Sequence, residues 1–256
     1  MQPVLIQHIR NATAKIKYAE TTFLLDPMLA EKGAYPGFDG FQDTRNSHLP
    51  NPLIDLPLPV QDIMKDVDAV IVSHTHLDHW DKAAQDLLPK GIPLFAQDEA
   101  DAQTIRAQGF TNVNILDEDT VFRGVRLSKT GGLHGTEDLG KIMGIVFQAP
   151  GSKTIYVAGD TVWVSEVDQT LAKFQPDVII LNTGDARLTG FDDGIIMGKD
   201  DTLHALRSAP NATIIAVHMD ALNHCGLSRE TLREYVKQNN IQDRVLVPED
   251  GESIEL

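Results

Sequence analysis

Apolar and polar residues alternate with a period of two in the first part of the chain, and this pattern predicts short β-strands. In residues 13–18, for example, Ala14, Ile16 and Tyr18 alternate with Lys15 and Lys17. A continuous apolar run over residues 68–73 predicts a buried strand that leads into a helix. The elements predicted in this part are strands at 4–9, 13–18, 21–25 and 68–73 and a helix at 81–88.

From residue 92 onward, strand patterns alternate with helical patterns. Predicted strands lie at 92–96, 113–116, 125–129, 142–148, 153–157, 177–181, 213–217, 245–247 and in a last short stretch at the C-terminus. Predicted helices lie at 99–108, 164–173, 201–209 and 228–239, the last with Ser228 as its N-cap. Two turns fall between these elements, one of them at Gly131-Gly132. The pattern predicts an α/β chain with residues 1–256 in one domain.

Residues 30–59 follow neither period and are rich in Gly, Pro, Asn and aromatic residues. A loop of this length inside a compact domain is usually a binding loop or disordered, and its aromatics Tyr35, Phe38 and Phe41 argue against disorder. We therefore expect an ordered flap, near the functional site or at a subunit contact. Its polar candidates for a role there are Arg45, Asn46 and His48.

The charge and cysteine content narrow the class of protein. The 256 residues carry a formal net charge of -15, which argues against a large nucleic-acid footprint. There is a single cysteine, Cys225, so no intramolecular disulfide can form. Neither a long apolar segment nor a signal-peptide pattern is present, so the expected location is cytoplasmic, with no membrane partner.

Candidate chemistry is concentrated where the predicted strand at 68–73 ends. The stretch His74-x-His76-x-Asp78-His79 places three imidazoles and a carboxylate within six residues. Extended backbone points His74 and His76 to the same side, and Asp78 and His79 lie where the chain turns toward the next helix. Imidazole and carboxylate groups are the usual protein ligands of zinc-like ions. The stretch therefore predicts a metal site.

Three further polar residues also follow predicted strands. His134 comes after the strand at 125–129 and the glycine pair, Asp160 after the strand at 153–157, and His218 after the strand at 213–217. Strands that run in the same direction deliver their ends to one edge of a sheet. We therefore expect these three side chains to join the first cluster.

The order of these residues resembles the metallo-β-lactamase fold superfamily, over almost the whole chain. Residues Leu25-Asp26-Pro27 after the opening strands are similar to the branch that includes L-ascorbate-6-phosphate lactonase. The resemblance implies a four-layer αββα sandwich with the site at one edge of the two sheets. It also implies that one ion is held by His74, His76 and His134 and a second by Asp78, His79 and His218, with Asp160 bridging the two.

This ligand set implies a hydrolase that binds two divalent ions, with zinc expected first and manganese or iron as alternatives. In the predicted mechanism a hydroxide between the two ions attacks a small-molecule ester, lactone or phosphorylated metabolite. Asp78 either takes part in proton transfer or serves only as a ligand. The alternatives are a mononuclear iron dioxygenase on the same fold, a phosphodiesterase, and a non-catalytic metal-binding protein.

Four residues after the strand ends are weaker candidates for contact with a substrate. His224 and Asn223 follow His218 on what is predicted to be the same loop, and His224 is the candidate for substrate contact or proton donation. Asp185 and Arg187 follow the strand at 177–181, where Arg187 either binds an anionic group or forms a surface ion pair. Asp26 either caps its turn or orients a metal-bound histidine. The expected partner is a small-molecule substrate, and a homo-oligomer is left open.

Overall fold

The computed structural model describes residues 3–135 and 141–256. The strands in these residues are β1 Leu5–Arg10, β2 Thr13–Tyr18, β3 Thr21–Leu25, β4 Ala69–Val72, β5 Leu94–Ala96, β6 Val113–Ile115, β7 Thr120–Phe122, β8 Val125–Leu133, β9 Lys141–Gln148, β10 Ile155–Val157, β11 Val178–Asn182, β12 Thr213–Val217, β13 Val245–Leu246 and β14 Ser253–Glu255. The helices are α1 Val60–Met64, α2 Lys82–Leu87, α3 Glu99–Ala107, α4 Ser165–Phe174, α5 Lys199–Ser208 and α6 Arg229–Gln238.

The strands form two seven-stranded sheets. The first has the order β14-β1-β2-β3-β4-β5-β6 and the second the order β13-β12-β11-β10-β9-β8-β7. Strands β3 to β6 pair in parallel, as do β10 to β13. Because β8 and β10 are both antiparallel to β9, strands β8, β10 and β12 run in the same direction. Their C-terminal ends therefore lie along one edge of the second sheet.

The core lies in three layers. Side chains of both sheets, such as Ile16 and Phe23 from the first and Phe147 and Ile180 from the second, form one buried cluster between them. Helices α1 to α3 cover the outer face of the first sheet, and α4 to α6 cover that of the second. Apolar burial on both faces of each sheet supplies the main stabilising free energy. The result is the predicted mixed α/β sandwich with four layers.

One predicted feature is wrong in detail, and two short elements were not predicted. Gly131 and Gly132 do not form a turn but continue β8. A side chain at Gly132 would place its Cβ 2.9 Å from Ile142 Cδ1 and 3.0 Å from Thr161 Cβ, so this strand needs a glycine for close packing. Strand β7 and helix α1 were missed because each is very short. The predicted cap of α6 is confirmed, since Ser228 accepts a hydrogen bond from Thr231 N.

Residues 30–59, called the flap below, contain no strand or helix but make long-range contacts. Tyr35 pairs with Asn51 within the flap, and Phe41 pairs with Leu188 outside it. The base of the flap is held by the buried Arg10, whose guanidinium donates to the carbonyl oxygens of Met28, Ala30 and Ile54 at 2.9 Å each. These contacts tie the flap to the rest of the fold at both its base and its tip.

In residues 3–135 and 141–256, none of the helices is both long enough and apolar enough to cross a membrane.

Candidate metal centre

Four strands deliver the predicted ligands to one edge of the sandwich. His74 follows β4 of the first sheet, while His134, Asp160 and His218 follow β8, β10 and β12 of the second. Because these strand ends meet at one edge, residues far apart in sequence come together: His218 Nε2 lies 3.3 Å from Asp78 Oδ2, which is 140 positions away. The ends of these strands therefore converge, as expected from the sequence.

The ligand-type atoms fall into two adjacent groups, in each of which all the atoms lie within 4.8 Å of one another. The first group contains His74, His76 and His134. The second contains Asp78, His79, Asp160 and His218. Asp160 Oδ2 lies 3.0 Å from His79 Nε2 and 3.8 Å from His134 Nε2, so this carboxylate lies between the two groups. All seven predicted residues are brought together.

Hydrogen bonds to the far ring nitrogens fix the orientation of three of these histidines. His134 Nδ1 lies 3.0 Å from the carbonyl oxygen of Ile195, and His79 Nδ1 lies 2.8 Å from Asp26 Oδ2. Since these oxygens only accept, both Nδ1 atoms carry a proton, and the Nε2 atoms face the cluster. Of the two roles left open for Asp26, the structure shows the one that orients a histidine.

His74 is oriented through a relay. Ser73 Oγ donates its one proton to Asp26 Oδ2 at 2.6 Å, so it can only accept from His74 Nδ1, which lies 3.1 Å away. Asp26 Oδ1 also accepts from Ser73 N at 2.7 Å. The buried carboxylate of Asp26 therefore orients both His74, through Ser73, and His79 directly.

The backbone leading into Asp160 is under a steric constraint. Gly159 has φ +73°, and a Cβ there would lie 2.8 Å from the carbonyl oxygen of Met143. Only glycine meets both conditions without strain. His218 also has a left-handed backbone, with φ 67°, which is uncommon for a residue with a side chain. Such conformations are typical of functional sites, where the surrounding contacts hold them in place.

Buried charge at the centre is unbalanced among the described residues. Asp26, Asp78 and Asp160 are all buried, and their ion pairs are with histidines and not with lysine or arginine. Burial would lower the pKa of His79 and of His218, but the carboxylates around them, with Asp160 foremost, raise both well above the usual value. Burial likewise would raise the pKa of Asp78 and of Asp160, but the nearby imidazoles hold both well below the usual range. The centre is thus a place that attracts positive charge.

Several observations show that the residues fit divalent ions. Nε2 of His218 is buried and has no hydrogen-bond partner within residues 3–135 and 141–256, although carboxylate oxygens of Asp78 and Asp160 lie 3.3 and 3.5 Å away. Nε2 of His74 and Nδ1 of His76 face each other at 3.0 Å. A cation bound between such atoms would neutralise the carboxylates and be coordinated by the imidazole nitrogens. A donor set of imidazole nitrogens and carboxylate oxygens suits zinc and also tolerates manganese or iron.

A cavity of about 340 Å³ opens directly onto both groups. Its polar lining includes His76, Asp78, His134, Asp160 and His224. Its apolar wall consists of Phe38 and Phe41 from the flap together with Leu77, Leu188 and Ile195. In the part of the chain that the structure describes, no lysine or arginine lines this cavity.

His224 lies in the wall of this cavity, packed between two aromatic rings of the flap. Its ring centroid is 5.1 Å from that of Phe38 and 4.5 Å from that of Phe41. Burial lowers the pKa of His224 to about 4, so the ring is neutral near pH 7. Its buried Nδ1 has no hydrogen-bond partner among the described residues. The ring therefore adds a neutral surface to the cavity wall.

The other weaker candidates lie elsewhere. Asn223 is turned toward the flap, where its side chain bonds the backbone of Phe38 and of Ser47 and the amide of Asn51. Arg187 pairs with Asp185 at 3.0 Å, which is the surface ion pair. From the flap, Arg45 pairs with Asp220 at 3.2 Å. Asn46 and His48 do not line the cavity, and these contacts leave His224 as the candidate that faces it.

Sequence reasoning missed several residues that support the ligands from behind. Asn182 Nδ2 donates to Asp160 Oδ1 at 2.6 Å, and Asn11 Nδ2 donates to the carbonyl oxygen of Asp78 at 3.1 Å. The main-chain oxygen of Asn11 accepts from His218 N at 3.1 Å. Asn182 ends β11, beside the strand that leads to Asp160. Its position at a strand end was the signal from which its role could have been predicted.

Two stacked sheets covered by helices, with a histidine and aspartate cluster at one edge, define a metal-binding enzyme of the metallo-β-lactamase fold. The sequence profile of the beta-lactamase superfamily domain matches residues 21–219. UPF0173 protein YddR of Bacillus subtilis (strain 168) is 47% identical over 97% of this chain and 98% of its own length. The chain belongs to the beta-lactamase superfamily and, within it, to the UPF0173 family.

Solved structures agree with this assignment. A possible metal-dependent hydrolase from Veillonella parvula DSM 2008 is 47% identical, with a TM-score of 0.95 over 98% of this chain and 99% of its own. An isothiocyanate hydrolase from Delia radicum gut bacteria is 46% identical, with a TM-score of 0.92 over 98% of both chains. Together with the family membership, these relatives identify the chain as an enzyme, a metal-dependent hydrolase of the superfamily.

Proposed function

We propose that this enzyme hydrolyses small uncharged electrophiles with two divalent ions. His74, His76 and His134 would hold one ion, Asp78, His79 and His218 the other, and Asp160 would bind both. The observation that carries the proposal is the cluster of buried imidazole nitrogens and unbalanced carboxylates at the mouth of an apolar cavity. When bound, the ions supply Lewis acidity and a water that is deprotonated near neutral pH.

The chain's own residues determine what can enter. A volume of about 340 Å³ is at the small end of ligand-binding pockets, so the substrate is a small molecule. Its apolar part would pack against Phe38 and Phe41 on one side and Leu188 and Ile195 on the other. An anionic group would meet this wall without a cationic side chain to compensate it. At the apolar wall, away from the ions, the cavity therefore favours an uncharged side group, which counts against a substrate whose phosphate would lie there.

Two polar side chains of the cavity take defined roles in this proposal. The neutral His224 forms part of the cavity wall and contacts the substrate with its ring. It does not act as an imidazolium acid near pH 7, because burial disfavours that form. Asp78 is ionised, so it can serve as a ligand and accept a proton but has none to donate.

Isothiocyanates are the first substrate class to test, since a structure 46% identical to this chain is an isothiocyanate hydrolase. They are uncharged, and their side group can be fully apolar. In the reaction R–N=C=S + H₂O → R–NH₂ + COS, the water oxygen bonds the central carbon and both protons end on nitrogen. The carbon–nitrogen bond then breaks as carbonyl sulfide leaves. A lactone or ester meets the same physical criteria, and the likeness to L-ascorbate-6-phosphate lactonase stays a prediction.

The test compares two isothiocyanates that differ in charge. Benzyl isothiocyanate and its 4-carboxy derivative share the reacting group, but only the second brings a negative charge to the apolar wall. We expect kcat/KM for the uncharged compound to be higher by at least about tenfold, measured as release of the amine. Faster turnover of the carboxylated compound, or activity on phosphate esters alone, would refute the proposed substrate class.

Variants of the flap provide the structural control in the same assay. Phe41→Ala should raise KM for benzyl isothiocyanate by about tenfold, because the side group loses one face of its pocket. Phe191→Ala is the matched control, since Phe191 is 54% exposed and does not line the cavity. Equal effects of the two substitutions would show that the apolar wall does not bind the substrate.

A further inference from the structure

The ring N–H groups of the buried histidines in the centre do not all have the same kind of partner. Those of His74, His79 and His134 face oxygen atoms, at 3.1, 2.8 and 3.0 Å. His218 Nδ1 instead faces the sulfur of Cys225, at 3.7 Å. The same sulfur lies 3.5 Å from the carbonyl oxygen of His218. The one thiol of the chain thus contacts both the ring and the main chain of one candidate ligand.

The chemistry of the thiol gives each contact a direction. The carbonyl oxygen can only accept, so the S–H of Cys225 donates to it. The sulfur lone pairs then remain to accept the N–H of His218 Nδ1. With a proton held on Nδ1 by the sulfur, Nε2 is the ring nitrogen left to bind a cation, and it is the buried nitrogen of His218 that has no partner among the described residues. Cys225 therefore does for His218 what Asp26 does for His79.

The surrounding packing is built around this contact. A Cβ at Gly184 would lie 2.8 Å from the sulfur and 2.5 Å from the carbonyl oxygen of His218. The missing side chain leaves the space in which the two groups meet. Cys225 also packs against the small cluster of Met28, Ala221 and Leu222, which anchors its loop. The sulfur is therefore held against His218 from two sides.

We propose that Cys225 is the positioning residue of His218 and sets the affinity of the second metal position. This inference rests on the proposed assignment of His218 as a metal ligand. Sulfur is a weak acceptor compared with a carboxylate or a carbonyl oxygen. The imidazole of His218 is consequently the least firmly oriented of the four, and the second ion is the one that depends on this contact. The role of Cys225 is structural support of a ligand and not nucleophilic attack.

The experiment is a zinc titration in competition with a chromophoric chelator, on the wild type and three variants. In Cys225→Ala the ring N–H loses its partner, and we expect the second zinc to bind about 10–100-fold more weakly, with the first unchanged. Cys225→Ser keeps a donor and an acceptor, so it should bind the second zinc within about threefold of the wild type. Thr183→Val is the matched control, because in the part of the chain that the structure describes Thr183 Oγ1 donates to the carbonyl oxygen of Val217, the residue before His218, and to no other group.

A second readout reports the hydrogen bond itself. In the zinc-loaded wild type, the Nδ1 proton of His218 should be visible by NMR and exchange slowly with water. In Cys225→Ala it should exchange at least about tenfold faster. Unchanged zinc affinity in Cys225→Ala would overturn the proposal, as would an equal loss in Ser, Ala and the Thr183 control, which would indicate general loss of packing.

The design separates this inference from the proposed function. Wild-type protein that binds no zinc would contradict the metal assignment itself. Wild-type protein that binds two ions, together with a Cys225→Ala variant of equal affinity, would leave that assignment intact and remove only the role of Cys225.

Discussion

Asp160→Asn is expected to lose the second metal ion and to reduce turnover by about a thousandfold or more. The substitution is nearly isosteric and still allows the contact with Asn182, so the fold should persist. The amide nitrogen, however, would replace the carboxylate oxygen that lies within 4 Å of His79, His134 and His218. An amide –NH₂ group is not a metal ligand, and the charge that offsets two cations is removed. The expected loss of turnover is at least as large as the loss that follows when one group that stabilises charge in a transition state is removed.

The measurement is metal content by mass spectrometry together with kcat/KM on the best substrate found. Asp185→Asn is the control, because Asp185 also follows a strand of the second sheet but pairs with Arg187 on the surface. It should keep both metal and activity. Full metal content and full turnover in Asp160→Asn would show that this carboxylate does not lie between two bound ions.

Asp26→Asn is expected to have the second-largest effect, although Asp26 is not a proposed ligand. Its carboxylate accepts from Ser73 N, Ser73 Oγ and His79 Nδ1, all within 2.6–2.8 Å. In asparagine, an –NH₂ group replaces one of the two accepting oxygens. We expect this group to take the position that faces His79. There the –NH₂ group would favour the His79 tautomer that carries its proton on Nε2, which cannot bind a metal. We expect metal affinity to fall by about 100-fold and the free energy of unfolding by about 1–3 kcal/mol.

Asp81→Asn distinguishes a loss of orientation from a loss of stability. Asp81 is also a buried carboxylate, and it accepts from Ala84 N and Ala30 N at the start of α2, without contact to a ligand ring. It should lower the free energy of unfolding by a similar amount, measured by urea denaturation, and leave zinc affinity unchanged. A loss of affinity in Asp81→Asn equal to that in Asp26→Asn would contradict the proposed relay through Ser73 and His79.

Much of the fold could be predicted because the apolar and polar patterns that indicate its strands and helices are local in the sequence. Apolar runs mark the buried parallel strands, and β2, β3 and β12 have the predicted bounds. The candidate ligands could be found for the same reason, since each follows one of these runs and parallel strands share an edge. The exposed strand β7 has no such run, as Val121 is 66% exposed, and it was missed.

Most of the contacts that support the ligands could not be predicted from the sequence, because they join distant segments. For Asp26 an orienting role was one of two alternatives, but His134 meets Ile195 across 61 positions and Asn11 meets Asp78 across 67. Composition and period carry no signal for such pairs. Gly132 was misread for a related reason: glycine usually indicates a turn, but in β8 it is required by the side chains of Ile142 and Thr161 on neighbouring segments.

The most direct test of the central claim is the metal content of the chain, purified without added metal and without a histidine tag. Two donor groups around a shared carboxylate predict two divalent ions per chain, zinc or manganese, with proton release when they bind to the metal-free protein. Protons are released because the raised pKa values leave His79 and His218 protonated near neutral pH until a cation displaces them. One iron per chain, with oxygen uptake in place of hydrolysis, would contradict the account.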